Sequence, residues 1–240
     1  VNALLERDGV RTALVTTAGF RDVLEIGRQA RPDLYNLNAE KPEPLVPRRR
    51  RFELDERTVP SGIKTPIDGD AVRELTERIA ATDAESVAVC LLHAYAHPEN
   101  EQRVTEILRE KLDIPVSASH EVLPEFREYE RTATTVADAY VSPGTGGYLA
   151  RLLDSARDEG VPDPRIMGSN GGIAAVETVR ENAIRTVLSG PAAGVIGAAS
   201  SVRSGERGNR EDSEDRSDEI GNGPIEGVVT FDMGFRSGRR

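Results

Sequence analysis

Apolar positions along the chain recur with two periods that alternate from segment to segment. Residues Thr12 to Thr17 (TALVTT) form an uncharged run that reads as a short buried strand, and Gly19 ends it. The stretch from about Phe20 to Gln29, with Val23, Leu24 and Ile26 apolar, then reads as a helix. Pro32, Pro42, Pro44 and Pro47 keep the next segment irregular. It leads into RRFELDERTV, whose alternation suits a half-exposed strand in an insertion or hairpin. Val72, Leu75 and Ile79 make one stripe of a helix from about Asp70 to Ala81, with Asp70 as its N-cap. The continuous apolar run Val87 to Leu92 predicts a central strand covered on both faces. Asn100 caps a following helix with Val104, Ile107 and Leu108 on its inner face, and Ile114 to Ala118 returns as a strand. Strand, helix and strand in this order make a right-handed crossover, so the chain is expected to be α/β.

Beyond Pro124 the helices lengthen. EFREYERTATTVADAY (125–140) predicts one helix, and Tyr148, Leu149, Leu152, Leu153 and Ala156 mark a second that ends near Gly160. This change of character places a boundary between 120 and 140, dividing the chain into 1–125 and 126–240. Arg165 to Met167 begins another strand that runs into Ser169–Gly172 (SNGG). Val187 and Leu188 lead into SGPAAGVIGAAS, a turn followed by a helix of small residues. Residues 201–224 are charged and nearly free of large apolar groups, the composition of a disordered acidic loop. Gly227 to Phe231 reads as a buried strand, with Asp232-Met233-Gly234 as the turn at its end.

Composition removes several classes of function. No run approaches the roughly 18 to 20 apolar residues of a membrane span, and VNALLERDG is too charged for a secretory signal, so the expected address is the cytoplasm, with no membrane partner. Acidic residues outnumber basic ones 41 to 31, and only three lysines occur (Lys41, Lys64, Lys111), leaving 28 arginines. An acidic, lysine-poor surface suits a salt-loving host and argues against nucleic acid as a partner. The basic cluster Arg48–Arg51 then reads as a solvated hairpin edge. Cys90, the single cysteine, sits inside an apolar run and reads as a small buried hydrophobe. His93 and His97 have a spacing of four, but at the end of a strand they stand too far apart to share an ion, and His120 has no ligand pattern near it, so no metal site is predicted.

Seven stretches together carry a resemblance. They are NALLERDGVRTALVTTAGFRDVLEIGRQARPDLY, KPEPLVPRRRRFELDERT, SVAVCLLHAYAHPENEQRV, IPVSASHEVLPEFREYERTATTVADAYVSP, IMGSNGGI, TVLSGPAAGVIGA and VTFDMG. The chain resembles the hydantoinase A / 5-oxoprolinase / acetone carboxylase family from Asn2 to Gly234, the acidic loop excepted. The resemblance implies an actin-like ATPase with RNase H-like lobes. Residues 1–125 would be the remainder of the N-terminal lobe, and 126–240 the start of the catalytic lobe. It implies ATP and Mg as cofactors, a small cyclic amide of the hydantoin or 5-oxoproline type as substrate, and a hydantoinase B-like second subunit as partner. Acetone carboxylase-type members activate a ketone instead.

The family's Asp-x-Gly-Gly-Thr hairpins hold phosphate: glycines let the backbone approach, the hydroxyl hydrogen-bonds oxygen, and the Asp orients metal or water. The resemblance makes Asp232 the catalytic candidate and places Gly234 beside phosphate. After Gly234 the chain reads Phe235-Arg236-Ser237 and departs from that motif, as a frameshifted or truncated reading frame would. The expectation is a fragment inactive by itself, or a noncatalytic interaction module.

Other candidates rest on local chemistry. Glu128, Glu130, Arg131 and Thr134 concentrate at the predicted lobe junction, either as a ligand site or as a salt-bridged helix face. Asn170, Gly171 and Gly172, and likewise Ser189, Gly190 and Gly194, offer backbone amides at strand-to-helix turns for an anion; equally, small residues there permit close packing.

Overall fold

The computed structural model describes residues 2–30, 33, 35, 36, 38, 39, 41–181, 183–187 and 189–197. Its elements run α1 (Asn2–Leu5), β1 (Thr12–Thr17), α2 (Val23–Ile26), β2 (Arg51–Leu54), β3 (Arg57–Val59), β4 (Gly62–Thr65), α3 (Gly69–Ala80) and β5 (Ser86–Cys90). There follow α4 (Glu99–Lys111), β6 (Val116–Ala118), α5 (Ser119–Val122), α6 (Glu128–Asp158), β7 (Arg165–Met167), β8 (Ile173–Ala175) and α7 (Val176–Glu181). Two compact units result, one of Val1–Pro164 with Val176–Ile184, the other of Arg165–Ala175 with Arg185–Arg240.

A four-stranded parallel sheet in the order β2-β1-β5-β6 organises the first unit. Every residue of β1 and β5 is buried, as strands covered on both faces must be. The two-residue period sorts their side chains into two cores. Ala13, Val15, Val87 and Val89 face Val72, Leu75 and Ile79 of α3 and Val104, Ile107 and Leu108 of α4. Leu14, Ala88 and Cys90 face Val136 and Ala139 of α6, with Val46 beside them. The sheet is therefore the middle of three layers. In the second unit, β7 and β8 pair as an antiparallel hairpin, and residues 189–197 are helical.

Several elements depart from expectation, each for a local reason. The helix expected over 20–29 shrinks to the four residues of α2, because Asp22 makes no side-chain cap and Gly27 turns the chain at φ 55°. RRFELDERTV is not one half-exposed strand. Arg51–Leu54 enters the central sheet beside β1, and Arg57–Val59 turns away to pair with β4. Arg50 and Arg51 of the supposed solvated edge are buried instead. Arg50 reaches both oxygens of Asp83, while Arg51 donates to Val46 O and pairs with Glu25 at 3.0 Å. Acceptors brought from three other segments replace the water these guanidiniums leave.

Asp68, two residues before the expected cap, accepts the Asp70 amide and starts α3. Asn100 lies inside α4 and points into the protein instead of capping it. The two helices expected over 125–160 are one, α6, which runs through Pro143 even though that residue has no N–H to donate. Its end matches expectation: Gly160 adopts φ 68°, with Val161 N bonded to Ala156 O and Gly160 N to Arg157 O, closing the helix in a Schellman motif.

Candidate active-site edge

Strands β1, β2, β5 and β6 are parallel, so their C-terminal ends share one edge, the place where ligands of open α/β sheets bind. Buried polar side chains collect there. Glu101, in the first turn of α4, is fully enclosed. It accepts from Leu91 N at 2.7 Å, His120 N at 2.8 Å and Ser119 Oγ at 2.9 Å, and meets His120 Nδ1 at 2.8 Å.

Arg131 of α6 is equally enclosed. Its guanidinium donates to Leu91 O (2.8 Å), Glu125 O (3.1 Å) and Ser119 Oγ (3.2 Å), and pairs with Glu128 three residues earlier. Its charge also lies 5.3 Å over the Tyr95 ring. Burial works against the guanidinium's charge, but the Glu128 and Glu101 carboxylates favour the protonated form, so its pKa is raised above the ordinary value. Burial pushes the neighbouring Cys90 thiol up to about 11, as expected for an inert cysteine.

On the β1–β2 side, Glu56 binds Thr17 Oγ1, Thr58 Oγ1 and Asn100 Nδ2, while Thr17 Oγ1 accepts Leu92 N at 3.0 Å. Asn100 spends its remaining capacity on Ile67 N and Thr65 O. Two non-glycine residues here have left-handed backbones, His93 (φ 54°) and Arg127 (φ 80°). Such conformations cost on the order of 1–3 kcal/mol and persist where surrounding contacts over-determine them. Both flank Glu128, whose Oε1 accepts the His93 amide at 3.3 Å.

The structure thus joins Glu128 and Arg131. Glu130 points elsewhere and pairs with Arg28 at 2.6 Å; its own backbone amide and Arg28 hold its carboxyl below the ordinary value. Thr134 is half-buried a turn further along α6. Asn170, Gly171 and Gly172 belong to the second unit, in the turn between β7 and β8, which is strand-to-strand rather than strand-to-helix. The amides of that turn are consumed internally: Gly168 N binds Gly172 O, Ser169 N binds Arg185 O, Gly171 N binds Gly168 O, and Gly172 N binds Asn170 Oδ1. Ser189, Gly190 and Gly194 are all within the helical residues 189–197, so Ser189 and Gly190 are helix rather than the expected turn. Asp232, Gly234, the loop 201–224 and the strand expected at 227–231 lie outside the described residues.

His93 and His97 fall in a turn after β5, and His97 Nε2 lies 3.2 Å from Pro60 O. Among the described residues no three His, Cys, Asp or Glu side chains are grouped to hold a metal, and no helix is long and apolar enough to cross a membrane. On the opposite face of α6 from Arg131, a cavity of about 1180 Å³ is walled by Leu24, Leu45, Tyr129 and Val136, with Lys41 at its rim. Glu56, Glu101, Ser119 and His120 were not anticipated, yet Glu101 left a signal. It shares a helix face with Val104, Thr105 and Leu108, an acid on an otherwise buried stripe.

The three-layer parallel sheet with a polar C-terminal edge places the chain in the actin-like ATPase fold. Two solved structures match it. Nucleotide-free acetone carboxylase superposes with a TM-score of 0.75 at 30% identity, over 85% of this chain and 31% of that one. The ATP-dependent caprolactamase of Pseudomonas jessenii gives 0.74 at 34% identity, over 81% and 29%. The chain belongs to the hydantoinase/oxoprolinase family: residues 1–112 match its N-terminal region and 131–209 its hydantoinase/oxoprolinase domain.

Relatives include an uncharacterized protein of Methanocaldococcus jannaschii, 42% identical over 79% of this chain and 28% of the relative. The caprolactamase subunit alpha of Pseudomonas jessenii is 36% identical over 80% and 28%, and 5-oxoprolinase 1 of Arabidopsis thaliana 35% identical over 82% and 17%. The chain therefore spans less than a third of these relatives' length.

Proposed function

We propose that this chain is part of an ATP-dependent cyclic amidohydrolase that opens hydantoin- or 5-oxoproline-type rings. The observation that carries this reading is the buried Arg131–Glu128–Glu101 assembly at the C-terminal edge of the parallel sheet. The relatives support it, since two are named for lactam hydrolysis. A lactam resists water because its nitrogen lone pair is delocalised into the carbonyl. Transfer of the ATP γ-phosphoryl group to the amide oxygen, with ADP leaving, turns that oxygen into a leaving group. Water then adds to the carbon, and the ring nitrogen leaves as the protonated amine, so that the C–N bond opens to an acyl phosphate. A second water displaces phosphate from that acyl carbon to leave the carboxylate. Charge developing on the transferred group needs fixed positive and N–H groups around it.

In this reading Arg131 and Glu101 hold the edge in shape and Thr134 is a proposed contributor beside them, while Glu130 is committed to Arg28. Asn170, Gly171, Gly172, Ser189, Gly190, Gly194, Asp232 and Gly234 are proposed contributors within the second unit, taken by itself. Asp232 is the proposed neighbour of Mg, which would supply positive charge to the transferred phosphoryl group. The proposal includes a lobe boundary near residue 125, a cytoplasmic address, a salt-loving host and a hydantoinase B-like second subunit. Two relatives named as subunits, caprolactamase alpha and acetone carboxylase beta, favour the last. A second reading, carboxylation of a ketone, draws on the acetone carboxylase superposition.

Calorimetry with ATP and magnesium, followed by ATP turnover with 5-oxoproline, caprolactam or acetone and the second subunit present, separates these readings. Saturable ATP binding with lactam-dependent turnover is the expected result. Turnover that answers only to acetone, or no ATP binding by folded protein, sinks the amide reading.

A further inference from the structure

The three histidines of the chain are placed differently around the polar edge. His97 sets Nε2 against Pro60 O at 3.2 Å, and the Nδ1 of His93 is enclosed. The ring of His120 joins the buried network on one side and meets solvent on the other. This residue follows β6 almost directly, in the short α5, so the fold sets it at the C-terminal end of a parallel strand.

His120 Nδ1 lies 2.8 Å from Oε1 of the fully enclosed Glu101. That carboxylate already accepts the Leu91 and His120 amides and the Ser119 hydroxyl, so toward the ring it is an acceptor too, and Nδ1 carries the proton. Nε2 is then left with its lone pair. It has no hydrogen-bond partner among the described residues, yet it is not a sealed atom, and 13% of the side chain is open to solvent. Glu121 Oε1, 3.8 Å away, is beyond hydrogen-bond reach and is turned to Arg109, which takes both of its oxygens. Arg131 reaches the pair only through Ser119 Oγ, 3.2 Å from its Nε. Satisfying Glu101 needs a single donor, which an asparagine side chain supplies as well. What histidine adds is the second nitrogen, bare and reachable by water, on a ring whose tautomer is fixed by a buried carboxylate.

We propose that His120 is the proton acceptor of this edge, with Glu101 as its positioning residue. The reaction it serves rests on the function proposed above; the assignment of His120 rests on the geometry. Nε2 takes a proton from the first water as the water oxygen bonds to the phosphorylated amide carbon. The imidazolium returns that proton to the ring nitrogen, which leaves with the C–N electron pair. The remaining hydroxyl proton passes to solvent as the carbonyl of the acyl phosphate forms, and the histidine ends as it began.

Two measurements test this. Nitrogen-15 NMR of the full chain reads the tautomer, and three histidines are few enough to assign by substitution. The expected pattern for neutral His120 is a proton on Nδ1 and a bare Nε2; a proton on Nε2 overturns the inference. The second measurement follows the ring-opened amino acid formed from 5-oxoproline or caprolactam, with ATP, magnesium and the second subunit present. His120→Asn keeps a donor where Nδ1 stood and removes Nε2. It should melt near the parent and keep the parental KM, yet lose kcat by about 100-fold or more, the size of a general-base contribution. Added imidazole should restore part of that loss. Parental kcat in the variant, or a loss that imidazole does not relieve, overturns the inference and leaves the ring-opening reading standing. A variant that melts well below the parent overturns it too, since the ring then serves the fold. No ring opening by the folded parent overturns both.

Discussion

Arg131 shows how a single side chain can be essential to an edge without being free to act on a ligand. Its charge is fully desolvated and is balanced by a neighbouring carboxylate, three oxygen acceptors and an aromatic face. Replacing it by methionine keeps the bulk but strands Glu128 and the buried Glu101 without their cation, a loss of about 3–5 kcal/mol by the usual cost of breaking a buried pair. Urea unfolding of Arg131→Met should therefore show a midpoint well below the parent; a difference under about 1 kcal/mol, the range of surface pairs, would mean the network is solvated. At this scale the sequence was only partly readable. Glu128 and Arg131 are three apart on a helix and announce themselves as a pair. Their partners Glu101, Ser119 and Leu91 come from separate segments, and nothing local couples those positions.

At the scale of elements, periodicity was a good guide wherever a stripe was regular, and polar side chains misled where they had a choice of partner. The stripe of α3 was legible, but its cap moved from Asp70 to Asp68, since both aspartates precede the stripe and only geometry chooses between them. Asn100 had the right residue type for a cap, yet it reaches Glu56 and Thr65 instead. Small elements are held by such side-chain ties. Arg109 of α4 grips both oxygens of Glu121 in α5 and also Val116 O at the start of β6. Burial raises the Glu121 carboxyl, but the hydrogen bond and charge of Arg109 outweigh it and leave the group below its ordinary value of 4.5. A depressed folded-state value means stability that is fully present above the unfolded value and is lost as pH falls through the folded one. Glu121→Gln should accordingly be less stable than the parent near neutrality, with the gap closing below about pH 4; denaturation midpoints across pH measure it. A gap that stays constant into acid would show the tie to be uncharged.

For the molecule as a whole, the α/β class, the strand order's parallel core and the buried Cys90 could be read from the chain because continuous apolar runs leave few alternatives. The merging of two expected helices into α6 could not, since proline at 143 argues locally for a break that packing of Val136, Ala139, Leu149 and Leu153 overrides. Charge is the other whole-molecule property. With a net charge of -10, like-charge repulsion opposes compaction, whereas most of the ion pairs described are exposed and individually weak. Screening should therefore relieve more repulsion than it costs in attraction, and the melting temperature should climb from low to molar salt. A falling melting temperature would show that the arginine pairs, and not the acidic excess, dominate.

The uninterrupted α6 has a mechanical consequence. Thirty-one residues at the usual rise make a rod about 46 Å long. One end is fastened to the strand edge through Arg131 and the other is closed off at Gly160. A hydrogen-bonded rod resists stretching, so a displacement imposed at one end reaches the other nearly undiminished, except where a rung is missing. That rung is at Pro143, which has no N–H to donate, with Gly144, Gly146 and Gly147 beyond it, and bending of the rod is expected there before anywhere else.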